Sequence, residues 1–286
     1  MIYGLVAAVG FGLADFLTAI AARRLGALLT LVVVQVVGTL MVTAFFVVAG
    51  PSTGAAAGGV WVGLIVAGGV TALAYFGLYR GLELGPVAIV SPVVAANAAI
   101  AILLVVPVLH ERVSGPAWIG VVAALAGVVL ASTDPRGVGA ALRADRRGIA
   151  WALVAMVIFG VAVFISGWAA KRFGWFLPMF CSRLGTMAAL AAVVGATGGR
   201  TIQRPGPSAR FLWLAAVVGV VDLGGFAAFT RGSQVGLVSI VIAVSATFPL
   251  IPMAGGMLAF GERPAPTQLL GAALVVVGLF VLGVAS

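Results

Sequence analysis

Charged residues are scarce in this chain of 286 residues, which has 16 Lys and Arg and 7 Asp and Glu, together 8% of the sequence. Soluble domains carry about 25% charged residues, because a charged surface must cover the core. Hydrophobic residues reach 63% here. The composition therefore excludes a soluble globular enzyme and a disordered chain. It also excludes a nucleic-acid binder, since the basic residues behind the net charge of +9 lie at the ends of apolar runs rather than in a polar patch.

Residues that bind metals or nucleotides, or that form disulfides, are equally rare. The single cysteine, Cys181, excludes a disulfide scaffold and a cysteine zinc site, and its apolar surroundings favour packing. The single histidine, His110, ends an apolar run and is interpreted as a polar boundary residue, with pH sensing as the alternative. The sequence has no Gly-x-x-x-x-Gly-Lys-Ser/Thr motif and no His, Asp and Glu cluster with metal-ligand spacing. We therefore expect no ATP hydrolysis, no metal and no cofactor.

Long apolar runs dominate the sequence. A membrane-spanning helix needs about 20 apolar residues. Ten runs qualify, at 2–22, 28–49, 60–80, 86–109, 115–133, 148–170, 176–197, 210–232, 236–260 and 265–284. Strand-sized alternation is absent, and the first run lacks the preceding basic residues of a secretory signal. The sequence predicts an all-α, multi-pass integral protein of the plasma (inner) membrane, surrounded by the lipid bilayer.

The chain repeats itself around its most polar stretch. We predict a first five-helix repeat at 1–133, a basic linker at 134–147 and a second five-helix repeat at 148–286. The segment Arg80–Leu130 aligns with Arg231–Val281 at an offset of 151 without gaps and with 13 identities. The first helices align at an offset of 148. In so apolar a sequence, matches between rare residues are the strongest evidence for the two alignments. These matches are Arg80/Arg231, Glu111/Glu262, Arg112/Arg263, Phe11-Gly12/Phe159-Gly160 and several glycine pairs.

Each repeat has an odd number of helices, so the second must lie upside down relative to the first. Inverted repeats are common in secondary transporters, because two like halves in opposite orientations can exchange conformations. The sequence thus predicts ten transmembrane helices as two inverted five-helix repeats around a central cavity. One chain supplies both halves. A monomer is therefore sufficient, and a dimer is compatible with the same pattern.

The stretches that close the fourth and ninth helices are distinctive. They read His110-Glu111-Arg112 and Gly261-Glu262-Arg263, and each is followed by a glycine-studded helix. In these stretches and in its Phe-Gly pairs, the chain resembles the EamA-type ten-helix exporters of the drug/metabolite transporter superfamily, over its whole length. His110 departs from the family's glycine. The resemblance implies a basket of ten helices around a central cavity, without ATP or metal, and relatives that move amino acids, sugars, nucleotide derivatives or drugs.

Three polar residues are predicted near the membrane midplane. With the side that holds the N-terminus called side A, a rise of about 1.5 Å per residue places Asp222, Arg183 and Asn97 about 17–21 Å from the opposite side B. Asp222 and Arg183 could bind the ammonium and carboxylate groups of a zwitterion, or form a structural ion pair between helices 7 and 8. Asn97 could contact the substrate or form an interhelical hydrogen bond.

Asp15 and Tyr75 complete the set of candidate cavity residues. Asp15 lies in helix 1 without a basic residue at its depth, which makes it the candidate for proton coupling. The alternative is a structural hydrogen bond, either to Gln35, at the same depth, or to a backbone group. Tyr75 is deep enough to stack on a substrate ring, whereas Tyr79 and Trp168 lie near helix ends, where aromatic residues form an interfacial belt.

Four prolines and two Glu-Arg pairs are assigned structural roles. Proline removes a backbone donor, and a carbonyl freed in this way is tolerated at depth where it lines a cavity. Both fourth helices contain such breaks, at Pro92 and Pro107 in helix 4 and at Pro249 and Pro252 in helix 9. The Glu-Arg pairs, at Glu111-Arg112 and Glu262-Arg263, are expected to form a salt bridge or a helix-end contact that holds each repeat.

Basic residues are distributed unequally between the two sides. The side B loops hold eleven arginines, whereas the side A loops hold four basic residues. The positive-inside rule then places side B in the cytoplasm and both termini outside. Ten-helix relatives are generally drawn with both termini inside, so the charge bias and the family topology disagree.

These patterns favour a secondary active transporter that is not an enzyme and that exports small metabolites by alternating access. Amino acids or related zwitterions are the preferred solutes, and protons are the candidate coupling ions. A lipid-linked flippase or an accessory membrane subunit is the alternative. An intramembrane enzyme is disfavoured, since Asp15 and Asp222 differ in depth by about 8 Å and His110 lies at an interface.

Overall fold

The computed structural model describes residues 1–51, 56–84, 90, 93–131, 146–196, 209–251, 254–255 and 265–285. Within these ranges the chain forms ten helices and no strand. They are α1 (Ile2–Leu25), α2 (Ala27–Ala49), α3 (Gly58–Leu84), α4 (Asn97–Leu109), α5 (Gly115–Ala131), α6 (Arg146–Phe173), α7 (Phe176–Ala196), α8 (Ala209–Val235), α9 (Val238–Ser245) and α10 (Pro266–Ala285). Residues 134–145 of the predicted linker lie outside the described residues, and its last two residues, Arg146 and Arg147, are the first two of α6.

Six of these helices, α1, α2, α3, α6, α7 and α8, are long and apolar enough to cross a membrane. Shorter apolar helices cover Val93–Leu109, Gly115–Ala131 and Pro266–Leu282. Large apolar side chains such as Val47 and Val48 on α2 are almost fully exposed. A soluble protein rarely leaves such a surface open, whereas lipid covers it at no cost. The chain is therefore a multi-pass membrane protein.

The helix bounds reproduce the offsets read from the sequence. Both ends of α3 and α8 are 151 residues apart, and the ends of α1 and α6, Leu25 and Phe173, are 148 apart. The turn after each of these two helices is made by a glycine with positive φ, 82° at Gly26 and 92° at Gly174. We call residues related by these offsets repeat counterparts, with 148 for the first two helices of each repeat and 151 for the other three.

Helix packing follows the same correspondence. In the first repeat, α1 packs on α8 and α9, and α2 packs on α8. In the second repeat, the counterpart helices do the same, since α6 packs on α3 and α4, and α7 packs on α3. Exchanging the two repeats therefore maps these helix contacts onto one another.

The fifth helices of the two repeats, α5 and α10, pack directly on each other through glycines. A Cβ atom at Gly120 would lie within 3 Å of Leu282 and the Gly278 carbonyl, and one at Gly127 would lie equally close to Gly271. Since the contacts run from Gly120–Gly278 to Gly127–Gly271, the two helices are antiparallel. The small residues allow the two backbones to approach closely.

The Phe-Gly pairs set the contacts of the first helices in the same way. A Cβ atom at Gly12 would meet the Phe248 carbonyl and Ile251, and one at Gly160 would meet the Asn97 carbonyl and Ile100. Phe248 is the counterpart of Asn97, and Ile251 is the counterpart of Ile100. The motif thus brings α1 against the α9 region and α6 against α4 at equivalent places.

The fourth helices are irregular at equivalent positions. After α9 ends at Ser245, hydrogen bonds between residues three apart link Thr247 to Val244 and Leu250 to Thr247, so that Pro249 lies in a turn. A turn at Ala96 precedes α4. The run predicted as the ninth helix is therefore broken next to Pro249, which lacks the backbone N–H that a helix needs at this place. Pro107 differs from the expectation, because α4 continues past it to Leu109. Pro92 and Pro252 lie outside the described residues.

Glu111 holds the beginning of α9. Its carboxylate oxygens accept hydrogen bonds from the backbone N–H of Val238 at 2.6 Å, the N–H of Ser239 at 3.0 Å and the Ser239 hydroxyl at 2.6 Å. This is a helix-end contact, in which a negative charge lies at a helix N-terminus. Arg112 beside it is exposed. Glu262 and Arg263 lie outside the described residues.

His110, the residue before Glu111, adopts a backbone conformation that favours glycine. Its φ of 50° places it in the left-handed region, where the N–H groups of His110 and Glu111 both reach the Val106 carbonyl at the end of α4. Glycine adopts this conformation without strain, and histidine tolerates it better than most residues. The second copy has Gly261 at this position.

Candidate functional site

A cavity of about 120 Å³ lies at the centre of the helix basket, between α1, α3, α4, α6, α8 and α9. Four of the predicted site residues, Asp15, Tyr75, Asn97 and Asp222, line it. Further polar groups come from Thr71, Ser166, Ser182 and Ser245. The aromatic lining consists of Tyr75 and five phenylalanines, Phe11, Phe159, Phe226, Phe229 and Phe248.

The lining is made of repeat counterparts. Seven pairs contribute both members, namely Phe11/Phe159, Asp15/Val163, Thr71/Asp222, Tyr75/Phe226, Leu78/Phe229, Val94/Ser245 and Asn97/Phe248. The cavity therefore lies where the two repeats meet. In most pairs one member is polar and the other is apolar or less polar, so that a geometrically symmetric cavity has an asymmetric chemistry.

Arg183, the fifth predicted binding residue, is not part of the cavity wall. Its guanidinium is 1% exposed and forms an ion pair through Nη2 with Oδ2 of Asp222. Its Nη1 donates to Oε1 of Gln35 at 3.0 Å, and its Cζ lies 6.0 Å from the centre of the Phe226 ring. Gly38 leaves the room for it, since a Cβ atom there would lie 3.2 Å from Nη1. The guanidinium thus lies behind Asp222, enclosed by α2 and α8.

The position of Arg183 changes the interpretation of the predicted zwitterion site. Asp222 is on the wall and could meet an ammonium group, whereas the guanidinium that was to bind a carboxylate is engaged by Asp222 and Gln35. The structural pair between α7 and α8, which the sequence left open as the alternative, is present in this conformation. The two roles are compatible if the pair opens when a substrate binds.

The surroundings of the guanidinium contain unsatisfied polar atoms. Among the described residues, Arg183 Nε, Gln35 Nε2 and Thr39 Oγ1 are buried without a hydrogen-bond partner. Thr39 lies one turn along α2 from Gln35. Buried polar groups are normally paired, so these three atoms are exceptions beside the ion pair. Gln35 Nε2 has no hydrogen-bond partner, so it does not donate to Asp15.

Asp15 is 7% exposed and lines the same cavity as Asp222, although their estimated depths differ. Its counterpart is Val163, so only the first repeat provides a carboxyl group at this place.

Asn97 makes a local hydrogen bond, whereas Tyr75 makes an aromatic contact with another helix. The Asn97 amide donates to the Val94 carbonyl at 2.6 Å, within the irregular turn before α4 rather than across to another helix. The Tyr75 ring packs edge-on against Phe159, with ring centres 5.0 Å apart. Tyr75 and Phe159 therefore form a continuous aromatic surface from α3 to α6.

The sequence did not identify the five phenylalanines of the cavity or its serines and Thr71. The repeat alignment contained a usable signal, because Phe226 is the counterpart of Tyr75 and Thr71 is the counterpart of Asp222. Within the described ranges, no group of three His, Cys, Asp or Glu side chains has the geometry of a metal site.

Comparisons with known proteins agree with this architecture. The model of the EamA-like transporter family matches residues 1–133 and 146–284. No curated protein matches the sequence. A solved structure described only as "Crystal structure of protein" superposes with a TM-score of 0.69, covers 98% of this chain and 96% of that chain, and shares 20% sequence identity. At this identity the likeness concerns the fold alone.

Proposed function

The chain belongs to the EamA-like transporter family, and from this premise we propose that it is a secondary active transporter that exports a small ammonium-bearing metabolite by alternating access. Members of the family are transporters and not enzymes. The observation that carries the proposal is the position of Asp222, a carboxylate on the wall of a cavity formed by both repeats.

Alternating access follows from an inverted repeat, which several observations support. The contacts of the first two helices of each repeat are exchanged when the repeats are exchanged, and the counterpart helices α5 and α10 are antiparallel. Two halves related in this way can adopt each other's conformation, which closes one side of the cavity and opens the other. The irregular turns at Ala96 and around Pro249 lie beside the cavity, where each repeat can bend.

The solute class follows from the chemistry of the wall. Asp222 supplies a negative charge, and the aromatic rings around it favour a cation that carries an apolar or aromatic body. Amino acids and related zwitterions are our preferred solutes, with the ammonium group on Asp222. Their carboxylate would reach Arg183 only after Asp222 has released it, so binding of a zwitterion would replace one ion pair by two. Asp15 is proposed as the proton-coupling group.

Counterflow in proteoliposomes tests this proposal. Purified protein would be loaded with unlabelled solute and given labelled amino acids, the corresponding amines and sugars. We expect saturable exchange of an ammonium-bearing solute that is lost in Asp222→Asn. A Thr71→Val variant, which changes the counterpart of Asp222 on the same wall, is the matched control and should retain exchange. Exchange that survives Asp222→Asn would contradict the proposed site.

The same experiment separates the alternatives. An amine that exchanges without its amino acid would assign the site to cations, with Arg183 serving only to hold Asp222. Folded protein that exchanges no solute at all would contradict the transporter proposal and favour a lipid-linked flippase or an accessory subunit.

A further inference from the structure

A second and larger cavity lies away from the central site. Its volume is about 510 Å³, within the range of about 300–1,000 Å³ that ligand sites occupy. It is a groove between the α1–α2 turn, α3 and α7. The floor and walls are apolar, with Ala72, Phe76 and Leu190 among them, and the exposed Leu73 and Val193 form part of its outer edge. The groove therefore opens towards the membrane rather than towards the central cavity.

The groove has the depth of a membrane leaflet. Along α3 it extends from Glu83, next to the end of the helix, to Gly69. Fourteen residues of helix correspond to about 21 Å, and one leaflet is about 20–22 Å deep when its headgroups are included. An apolar groove of this length and direction fits an acyl chain that enters from side B, since water would gain no hydrogen bonds on its walls.

The mouth of the groove is positively charged. Arg80 and Glu83 line it, and Arg23, on the last turn of α1, donates through Nε to the Leu82 carbonyl beside it at 3.4 Å. The negative charge of Glu83 is already engaged, because Oε2 accepts from Arg80 Nη1 at 2.8 Å and from the Ala27 N–H at 3.2 Å. Arg23 and Arg80 together against the single carboxylate of Glu83 leave one net positive charge at the level of the lipid headgroups.

We propose that this groove is a binding site for an anionic phospholipid, with one acyl chain along α3 and α7 and the headgroup phosphate at Arg80. The site is distinct from the central cavity and does not depend on the solute. Because it includes the turn between α1 and α2, a bound lipid would hold the side B end of the first repeat.

Native mass spectrometry of the purified chain, with phosphatidylglycerol or phosphatidylcholine of identical acyl chains added, tests the site. We expect the wild type to retain phosphatidylglycerol preferentially. Arg80→Gln should lower that preference about fivefold, since a basic residue near an anionic headgroup contributes about that factor in affinity. Leu73→Trp, which fills the groove from its exposed edge, should reduce retention of both lipids. Arg80→Lys keeps the charge and should keep the preference.

The repeat supplies the matched control. Arg231 is the counterpart of Arg80 on the opposite membrane side, and it bonds to Gln234 as Arg80 bonds to Glu83. Arg231→Gln should leave phosphatidylglycerol retention unchanged. Equal retention of the two lipids by the wild type, or equal losses in Arg80→Gln and Arg231→Gln, would overturn the proposal. The readout is independent of transport, so it is not affected if the proposed function is wrong.

Discussion

Arg183 donates a hydrogen bond to Gln35, the residue that occupies its own position in the other repeat. The second helices of the two repeats, α2 and α7, therefore meet at equivalent residues. When two parts are related by a two-fold axis, equivalent residues contact each other only close to that axis. One repeat has an arginine at this place and the other a glutamine. The difference gives the centre of the protein a single positive charge, which Asp222 neutralises.

The Arg183–Asp222 pair should show strong energetic coupling. Arg183→Gln leaves a buried carboxylate without its counter-charge, which costs about 3–5 kcal/mol for a buried pair. We expect Arg183→Gln/Asp222→Asn to be clearly more stable than the sum of the single losses. Thermal unfolding in detergent of the four proteins of this cycle measures the coupling. Additive losses would mean that the two side chains do not stabilise each other.

Asp15→Asn should separate exchange from energy coupling. If Asp15 carries the proton, the amide cannot do so, while the binding groups on Asp222 remain. We expect counterflow to continue and accumulation driven by a pH gradient to disappear. Ser166→Ala, which changes another polar group of the same cavity, should leave both activities intact. Accumulation driven by the pH gradient in Asp15→Asn would show that coupling lies elsewhere.

Gly12→Ala and Gly160→Ala should both destabilise the protein. Each added Cβ atom would collide with a backbone carbonyl and an isoleucine of the neighbouring fourth helix region. Overpacking of this kind costs about 1–3 kcal/mol. Gly224→Ala in α8 is the control, because nothing lies within 4 Å of its Cβ position. Its thermal unfolding temperature should stay equal or rise, and an equal fall in all three variants would contradict the packing role.

Glu111→Gln should weaken the beginning of α9. The carboxylate accepts three hydrogen bonds there, and loss of such a cap costs about 0.5–2 kcal/mol. Thermal unfolding should show the loss, whereas Arg112→Gln, at the exposed neighbouring residue, should have little effect. The cap is unimportant if the two variants unfold alike.

The charge bias predicts that the C-terminus lies outside the cytoplasm. A reporter that is active only after export, fused to the C-terminus, should therefore be active, and one that is active only in the cytoplasm should be silent. The opposite pattern would show that the chain follows the family topology, with both termini inside. Fusions at the Gly50 turn, at the end of α2 on the same side A, provide an independent reading.

The sequence anticipated the membrane-embedded helical fold and the two repeats. These properties depend on quantities that are read along one dimension, namely apolar length, rise per residue and a constant offset between rare residues. The same reasoning placed Asn97 and Asp222 at similar depths, and both line the cavity, whereas Asp15 lines it although its estimated depth differs by about 8 Å. The break near Pro249 was also readable, because a missing backbone donor acts locally.

What the sequence could not give is the direction in which a side chain points around its helix. In a membrane protein the lipid-facing and core-facing sides are both apolar, so no amphipathic pattern marks the inner face. Apart from Asp15, Thr18 and Leu25, the buried side of α1 consists of small residues such as Gly10, Gly12 and Ala14, while Val9 and Leu13 are exposed. The aromatic wall around Phe159 and Phe226 was missed for this reason.

The sequence by itself thus determined that the chain is a helical membrane protein built from two repeats, because composition and periodicity are local properties. The tertiary structure alone decided that Asp222 faces the cavity while Arg183 lies behind it, paired with its counterpart Gln35. Depth along the membrane follows from residue count. Rotation about each helix, and with it the division between binding groups and the groups that hold them, follows only from how the helices pack.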